Sequence, residues 1–372
     1  MTPQVEVQLI AVVVAVACAL PGAFLVLRRM ALVSDAISHS ILPGIVLAFF
    51  LIQDLNSPLL MLAAAATGVL AVAAIEALVG TRLVREDAAI GLVFPAMFSV
   101  GVILISRFAG NVHLDTDAVL LGELAFAPFD RMELLGLDLG PKALVSMGAI
   151  LALNLVFIVL LYKELKVATL DGEFAAILGF SPVFVHYALM TVVSVTAVGA
   201  FDAVGSILVV ALMIAPPAAA YILVDRLPLM LATSGVLGAC SGFGGYWLAH
   251  WLDASIAGSM AAMSGIVFAS ALLLAPHRGL LVQTRDRARR RWLFAQRMLA
   301  VHILNHQDTP EAAEETAPER LHVHLKWKTA FSEEVVRRAE ERGLVRRGGG
   351  VLRLTPRGLE TARRALSDDR VA

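Results

Sequence analysis

An aspartate and a histidine stand four residues apart in the stretch RRMALVSDAISHSILPGIVLAFF, residues 28–50, where the chain passes from basic to apolar. That spacing sets Asp35 and His39 on one face of a helix, where a carboxylate oxygen and an imidazole nitrogen reach a single cation. An ionisable side chain in a bilayer helix costs roughly 3 kcal/mol on insertion scales, so the pair calls for a reason. Two ligands are fewer than a divalent transition ion takes. One chain therefore holds half a site, which a second copy across a subunit interface completes with its own Asp and His. The other reading is a pair that hydrogen-bonds internally near the headgroups, since Arg28 and Arg29 lie only one to three turns away. Carboxylate plus imidazole suits zinc, manganese or iron(II); the nitrogen disfavours magnesium and calcium, and the lack of thiolate disfavours copper(I).

Other ionisable residues have plainer readings beside the functional one. Asp202 stands at the break GAFDAVGS between two apolar runs, as a loop end or a point on an ion path. Glu76 is within reach of Arg82 and Arg85 and reads as a snorkelling ion pair. His113 and His186 are single histidines and read as interfacial or packed residues. His302 and His306 share a helical face, and His322 with His324 follows shortly after, so four imidazoles gather by sequence around one polar stretch as a possible metal-sensing site. Cys18 and Cys240 sit in apolar runs and read as small core residues. No GxxxxGK[ST] loop occurs, and no ordered set of nucleophile, base and orienting residue, so ATP hydrolysis and other enzymatic chemistry are expected on a different chain.

The elements that must position these residues are membrane spans. The 372-residue chain is 58% hydrophobic and 16% charged, which excludes an ordinary soluble protein. Residues 1–277 carry 10 Lys and Arg against 18 Asp and Glu, while 278–372 carry 20 against 13. The near-neutral total thus hides an acidic membrane part, 1–277, and a basic remainder. A span takes about 20 apolar residues, which predicts nine, uncertain by one, near 7–27, 37–52, 58–80, 88–106, 143–161, 183–201, 203–224, 228–251 and 255–275. With the N-terminus outside, seven basic residues fall on inner connections (Arg28, Arg29, Arg82, Arg85, Lys163, Lys166, Arg226) and three on outer ones (Arg107, Arg131, Lys142). The C-terminus is then cytoplasmic. MTPQVE holds no basic residue, whereas Arg28 and Arg29 follow the first span, so that span is expected to stay in the membrane and not be cleaved. The outer connection 107–142 is long and acidic, with Asp115, Asp117, Glu123, Asp130, Glu133 and Asp138, and reads equally as a solvated loop or a docking surface for an external partner.

Past the membrane, 278–319 reads as a basic amphipathic helix and a polar linker, and 320–372 as a small cytosolic domain. There RLHVHLKWKTAF and SEEVVRRAEERG predict two helices, the second capped by Ser332. LVRR, GGG and VLRLT predict a hairpin, and TPRGLETARRAL a last helix with Thr355 at its cap. Helix, helix, hairpin, helix is a winged helix-turn-helix order. The fold class is therefore an all-α polytopic membrane protein with a small winged helix-turn-helix domain.

Four stretches, RRMALVSDAISHSILPG, RLVREDAAIGLVF, TLDGEFAAILGFSP and VGSILVVALMIAPPAAAYIL, together resemble the permeases of bacterial ABC importers for zinc, manganese or iron(II). The resemblance covers about residues 7–275. It implies that Asp35 and His39 line the path of the translocated ion. It also implies that TLDGEFAAILGF docks into the ATPase as a coupling helix, singling out Asp171, Glu173, Ala175 and Gly179. The expected setting is the bacterial inner membrane, with cytosolic ABC ATPase subunits, an extracytoplasmic metal-binding protein and a second permease chain as partners. Mn2+, Zn2+ or Fe2+ is cargo there, and no cofactor is held permanently. The tail resembles the winged fold of iron-dependent metalloregulators. That leaves regulation of transport by cytosolic metal, an accessory fold that steadies the ATPase interface, and DNA binding through Arg337, Arg338, Arg342, Arg346 and Arg347. The interspersed Glu333, Glu334, Glu340 and Glu341 and the membrane tether disfavour nucleic acid. A membrane-anchored, metal-sensing transcription regulator is the rival class.

Overall fold

The computed structural model describes residues 2–53, 57–108, 124–134, 137–276 and 278–368. The chain divides into two compact units, Met1–Gly279 and Leu280–Ala372. His113, Asp115, Asp117 and Glu123 lie outside the described residues.

The first unit is built from α1 (Pro3–Leu27), α2 (Ala31–Ser40), α3 (Leu42–Ile52), α4 (Pro58–Gly80), α5 (Glu86–Phe108), a hairpin of β1 (Arg131–Leu134) and β2 (Leu137–Pro141), α6 (Lys142–Leu160), the short α7 (Tyr162–Leu170) and α8 (Gly172–Ile177), then α9 (Pro182–Val204), α10 (Ser206–Leu223), α11 (Leu227–Leu252) and α12 (Ile256–Leu274). Among the described residues nine helical stretches are long and apolar enough to cross a membrane, as the apolar runs predict. The second of them begins at Ala31, not near residue 37, and so contains both Asp35 and His39. A hydrophobicity window rejects SDAISHS. The helical backbone continues through it because no Pro or Gly interrupts Ala31–Ser40. The joint comes at Ile41, just ahead of Pro43, whose missing N–H leaves the His39 carbonyl without its intrahelical donor.

Helix α1 packs against α6, α9, α10 and α11, while α2 and α3 pack against α4 and α5, and α9 touches both groups. Lipid gives no hydrophobic drive to such association, so close approach and polar contacts must supply it. At Gly245 a Cβ would stand 2.3 Å from Met260 Cα, so only hydrogen fits between α11 and α12 there. Deep in the bundle, Asn154 of α6 donates from Nδ2 to the Ala17 carbonyl at 2.9 Å and to Thr196 Oγ1 at 3.0 Å, tying α6 to α1 and α9. Cys18 is buried as expected, but Cys240 is exposed, because it faces outward from α11. Beside the β1–β2 hairpin, Arg131 meets Asp138 at 2.7 Å and the buried Glu6 of α1 at 3.5 Å, so the N-terminus and this connection share one side of the unit.

The second unit comprises α13 (Leu280–His306), α14 (Ala312–Glu315), α15 (Leu321–His324), α16 (Thr329–Glu341), the hairpin β3 (Val345–Gly348) and β4 (Val351–Leu354), and α17 (Pro356–Asp368). Its core joins Ala295, Leu299 and Ile303 of α13 to Leu321, Val335, Val336, Ala339 and Leu352. The polar stretch after α13 is built in as well: Thr316 is buried, and its carbonyl accepts from the Leu352 N–H at 3.0 Å. The predicted helix over 320–331 is only the single turn α15. Ser332 does not cap α16, which starts at Thr329 and buries Ser332 on its inner face. The chain turns at Lys326, whose φ is 50°, so helix 321–324 cannot run on into α16. Gly349 and Gly350 have φ of 65° and 82°, the two positive values that a tight β3–β4 turn demands. Thr355 caps α17 as predicted, its Oγ1 accepting from Gly358 N–H at 3.1 Å.

Candidate functional site

Asp35 and His39 face the same way from α2, with His39 Nε2 3.5 Å from Asp35 Oδ1. Both stay open: the side chains are 44% and 30% exposed in the single chain, respectively. Two aromatic rings of α5 wall the imidazole, Phe94 at 5.8 Å between centroids and Phe98 edge-on at 6.5 Å. Below them Ser34 and Ser38 are buried and donate to carbonyls one turn back, at Ala31 and Ser34, so the polar character of this helix is concentrated near the pair. The pair offers a carboxylate and an imidazole on one helix face, with the Phe94 and Phe98 rings beside the imidazole.

Arg28 does not neutralise that pair. It donates from Nε to Thr169 Oγ1 at 3.1 Å and lies with Nη1 3.2 Å from His186 Nδ1. His186 Nε2 in turn lies 2.5 Å from Glu76 Oε1. A polar chain thus runs from Thr169 of α7 through Arg28 to His186 of α9 and Glu76 of α4. This corrects two readings. Glu76 pairs with His186 and not with Arg82 or Arg85, because α4 ends at Gly80 and Arg82, with φ of 60°, turns away exposed. Nor is His186 a lone packed ring. The partners are more than a hundred residues apart, so no local spacing announces them; the only signal was two ionisable residues within apolar runs.

Asp202 is exposed in the last turn of α9, and α10 begins only two residues after that helix ends, with Gly205 between them at φ 82°. No ion pair among the described residues involves it.

The stretch predicted to couple to an ATPase folds as α7, a bend, and α8. Asp171 is the N-cap of α8: its Oδ1 accepts from the Phe174 N–H at 2.9 Å. Gly179 takes φ 86° after the helix, and Phe180 N–H donates to the Ala175 carbonyl at 3.1 Å, closing the C-terminal turn. Ala175 is fully buried, and Glu173 is exposed. These residues shape the helix, while its free face is apolar: Phe174, Ile177 and Leu178 are 50%, 81% and 51% exposed.

In the second unit His302, His306 and Glu315 bring ligand atoms within 4.8 Å of one another. His324 joins them, with Nδ1 3.1 Å from Glu315 Oε2. His322 does not; its Nδ1 lies 2.8 Å from the Glu319 carbonyl. Burial, aided by the neighbouring His306 and His324, holds the His302 imidazole below its usual pKa, against the opposing pull of Glu315. Four of the five arginines proposed to meet phosphates, Arg337, Arg338, Arg342 and Arg347, have partners within the unit. Glu334 bonds both Arg337 and Arg338 at 2.6 Å, which draws its carboxyl down to about 2. Arg338 lies over the Trp292 ring at 4.1 Å, Arg342 donates to Gln296, and Arg347 pairs with Glu340 at 2.9 Å.

An apolar helix bundle that opens a carboxylate and an imidazole on one helix face, and presents a short capped helix between two spans, is the membrane subunit of a transporter. The chain belongs to the ABC 3 transport family, whose family model matches residues 4–275. It is 48% identical over 369 residues to the zinc transport system membrane protein TroD of Treponema pallidum, covering 97% of this chain and 98% of that one. That match therefore takes in the second unit as well. It is 46% identical over 272 residues to the manganese transport system membrane protein MntD of Bacillus subtilis, covering 73% and 92%. Among solved structures, PsaBC from Streptococcus pneumoniae in complex with Fab is similar with a TM-score of 0.63 and 26% identity, over 76% of this chain and 96% of that chain.

Proposed function

We propose that this chain is the membrane-spanning permease of an ATP-driven importer for a divalent transition metal, zinc, manganese or iron(II), with Asp35 and His39 on the ion path. The observation that carries this is the open pair on α2: a carboxylate and an imidazole of the right chemistry on one helix face, beside Phe94 and Phe98 and too few to fill a coordination sphere alone. A second permease chain supplies the other half. The relatives named for zinc and manganese transport support the cargo class.

Energy comes from a separate cytosolic ATPase that seats the apolar face of α8, and an extracytoplasmic binding protein delivers the ion. The membrane is the bacterial inner membrane, with the N-terminus outside and the C-terminus in the cytoplasm; the seven-to-three division of basic residues supports that orientation. The second unit is a winged helix-turn-helix fold, supported by the order α16, β3, β4, α17. Nucleic acid is disfavoured as its partner, because Arg337, Arg338 and Arg347 pair with Glu334, Glu341 and Glu340, and Arg338 also covers Trp292. The permease reading is tested by expressing the chain with its ATPase and binding protein in a strain lacking metal importers. ATP-dependent uptake of at least one of Zn2+, Mn2+ and Fe2+ is expected, and no uptake of any of them by an assembled complex would overturn it.

A further inference from the structure

Among the described residues, the second unit holds a cluster that transport through the membrane does not use. His302 and His306 project from consecutive turns of α13, with ring centroids 4.7 Å apart. Glu315 ends α14, and His324 ends α15, with its ring 6.2 Å from that of His302. The side chains of His302, Glu315 and His324 are only 12%, 20% and 24% exposed, so this is a walled recess and not a solvated fringe of charges.

We propose that His302, His306, Glu315 and His324 form a divalent transition-metal site of their own, separate from the path through the membrane. Three imidazoles and one carboxylate complete the four-ligand count that Asp35 and His39 lack. The donor set selects Zn2+, Mn2+, Fe2+ and similar ions over Mg2+ and Ca2+. In a tetrahedral site with bonds of about 2.1 Å, ligand atoms stand roughly 3.4 Å apart. His302, His306 and Glu315 each hold one ligand atom within 4.8 Å of the others, and His324 Nδ1 stands 3.1 Å from Glu315 Oε2. His302 turns Nε2 to Glu315, 2.9 Å from its carbonyl and 3.5 Å from its Oε2. Metal would cross-link α13, α14 and α15. The residue after Glu315 carries the carbonyl that accepts from β4, so the same event would stiffen the hairpin. This site therefore senses metal on whichever side the unit faces, and its residues are independent of those that carry the permease reading.

The test uses the full-length chain in nanodiscs with Zn2+ or Mn2+ alone as probe. Equilibrium dialysis should give one equivalent more per chain for the native protein than for the His302→Ala/His306→Ala double variant. Glu315→Gln, which keeps the side chain's shape, should weaken that equivalent by at least about tenfold. In the native chain, metal should slow amide hydrogen exchange across residues 299–324, and it should do so equally in Asp35→Ala. Equal stoichiometry and affinity in native and double-variant chains would overturn the site. So would an unchanged exchange pattern over 299–324 in the native chain, a readout that needs no variant to fold, or protection lost in Asp35→Ala.

Discussion

His302 sits between a carboxylate and two other imidazoles, yet burial outweighs the carboxylate and keeps its pKa below 6.5. As pH falls below 6.5 the unfolded chain takes up a proton at this ring that the folded unit resists, so stability is lost from that point downward through the folded pKa. The second unit is therefore expected to loosen progressively between neutral and mildly acid pH without metal. His302→Gln should flatten that dependence. Hydrogen exchange of residues 295–306 at several pH values checks it, and an identical slope in the two chains would contradict the assignment. At this scale the sequence was legible where chemistry is local. The i, i+4 pairs Asp35 with His39 and His302 with His306 could be read directly, since a helix fixes their neighbours. Glu315 was hidden in an acidic run that looks like solvated linker, and Glu76 with His186 was hidden because α4 and α9 meet only in the folded bundle.

The element that most changes the functional account is α8. The resemblance singles out Asp171 and Glu173, two carboxylates, in the stretch it implies docks into an ATPase. The structure makes Asp171 a cap and leaves an apolar face outward. Loss of an N-cap costs about 1 kcal/mol, and Asn caps as well as Asp does. Asp171→Asn should therefore retain co-purification of the ATPase while Asp171→Ala weakens it, and Phe174→Ser with Ile177→Ser should weaken it most. Equal damage from Asn and Ala would restore the charge reading. Nine spans were legible because roughly 20 apolar residues in a row admit few other structures. The start of the second span was not, because Ser34, Asp35, Ser38 and His39 lower its hydropathy while its backbone stays helical. The start of α16 was missed for the converse reason: Ser332 has the chemistry of a cap but is packed inside the helix.

For the whole molecule, the division at Gly279 determines which truncations are informative. Removing 307–372 strips Val335, Val336 and Leu352 from Ala295, Leu299 and Ile303 and leaves the apolar stripe of α13 uncovered. Ending the chain at Gly279 removes the second unit complete. The shorter deletion is expected to aggregate, and the longer one to remain monodisperse on size exclusion in detergent; the reverse order would mean that α13 belongs with the membrane unit. The Gly279 truncation should also import metal at low external concentration, since the proposed path residues Asp35 and His39 and helix α8 all lie before it.

The central claim is that Asp35 and His39 carry the ion. It is tested most directly by initial rates of metal uptake into proteoliposomes holding the permease assembled with its ATPase and binding protein, comparing the native chain with Asp35→Ala and His39→Ala. Both variants should assemble and keep basal ATP hydrolysis, while uptake falls by at least about a hundredfold, the effect of nearly 3 kcal/mol at the barrier. Native uptake rates in both assembled variants would contradict it.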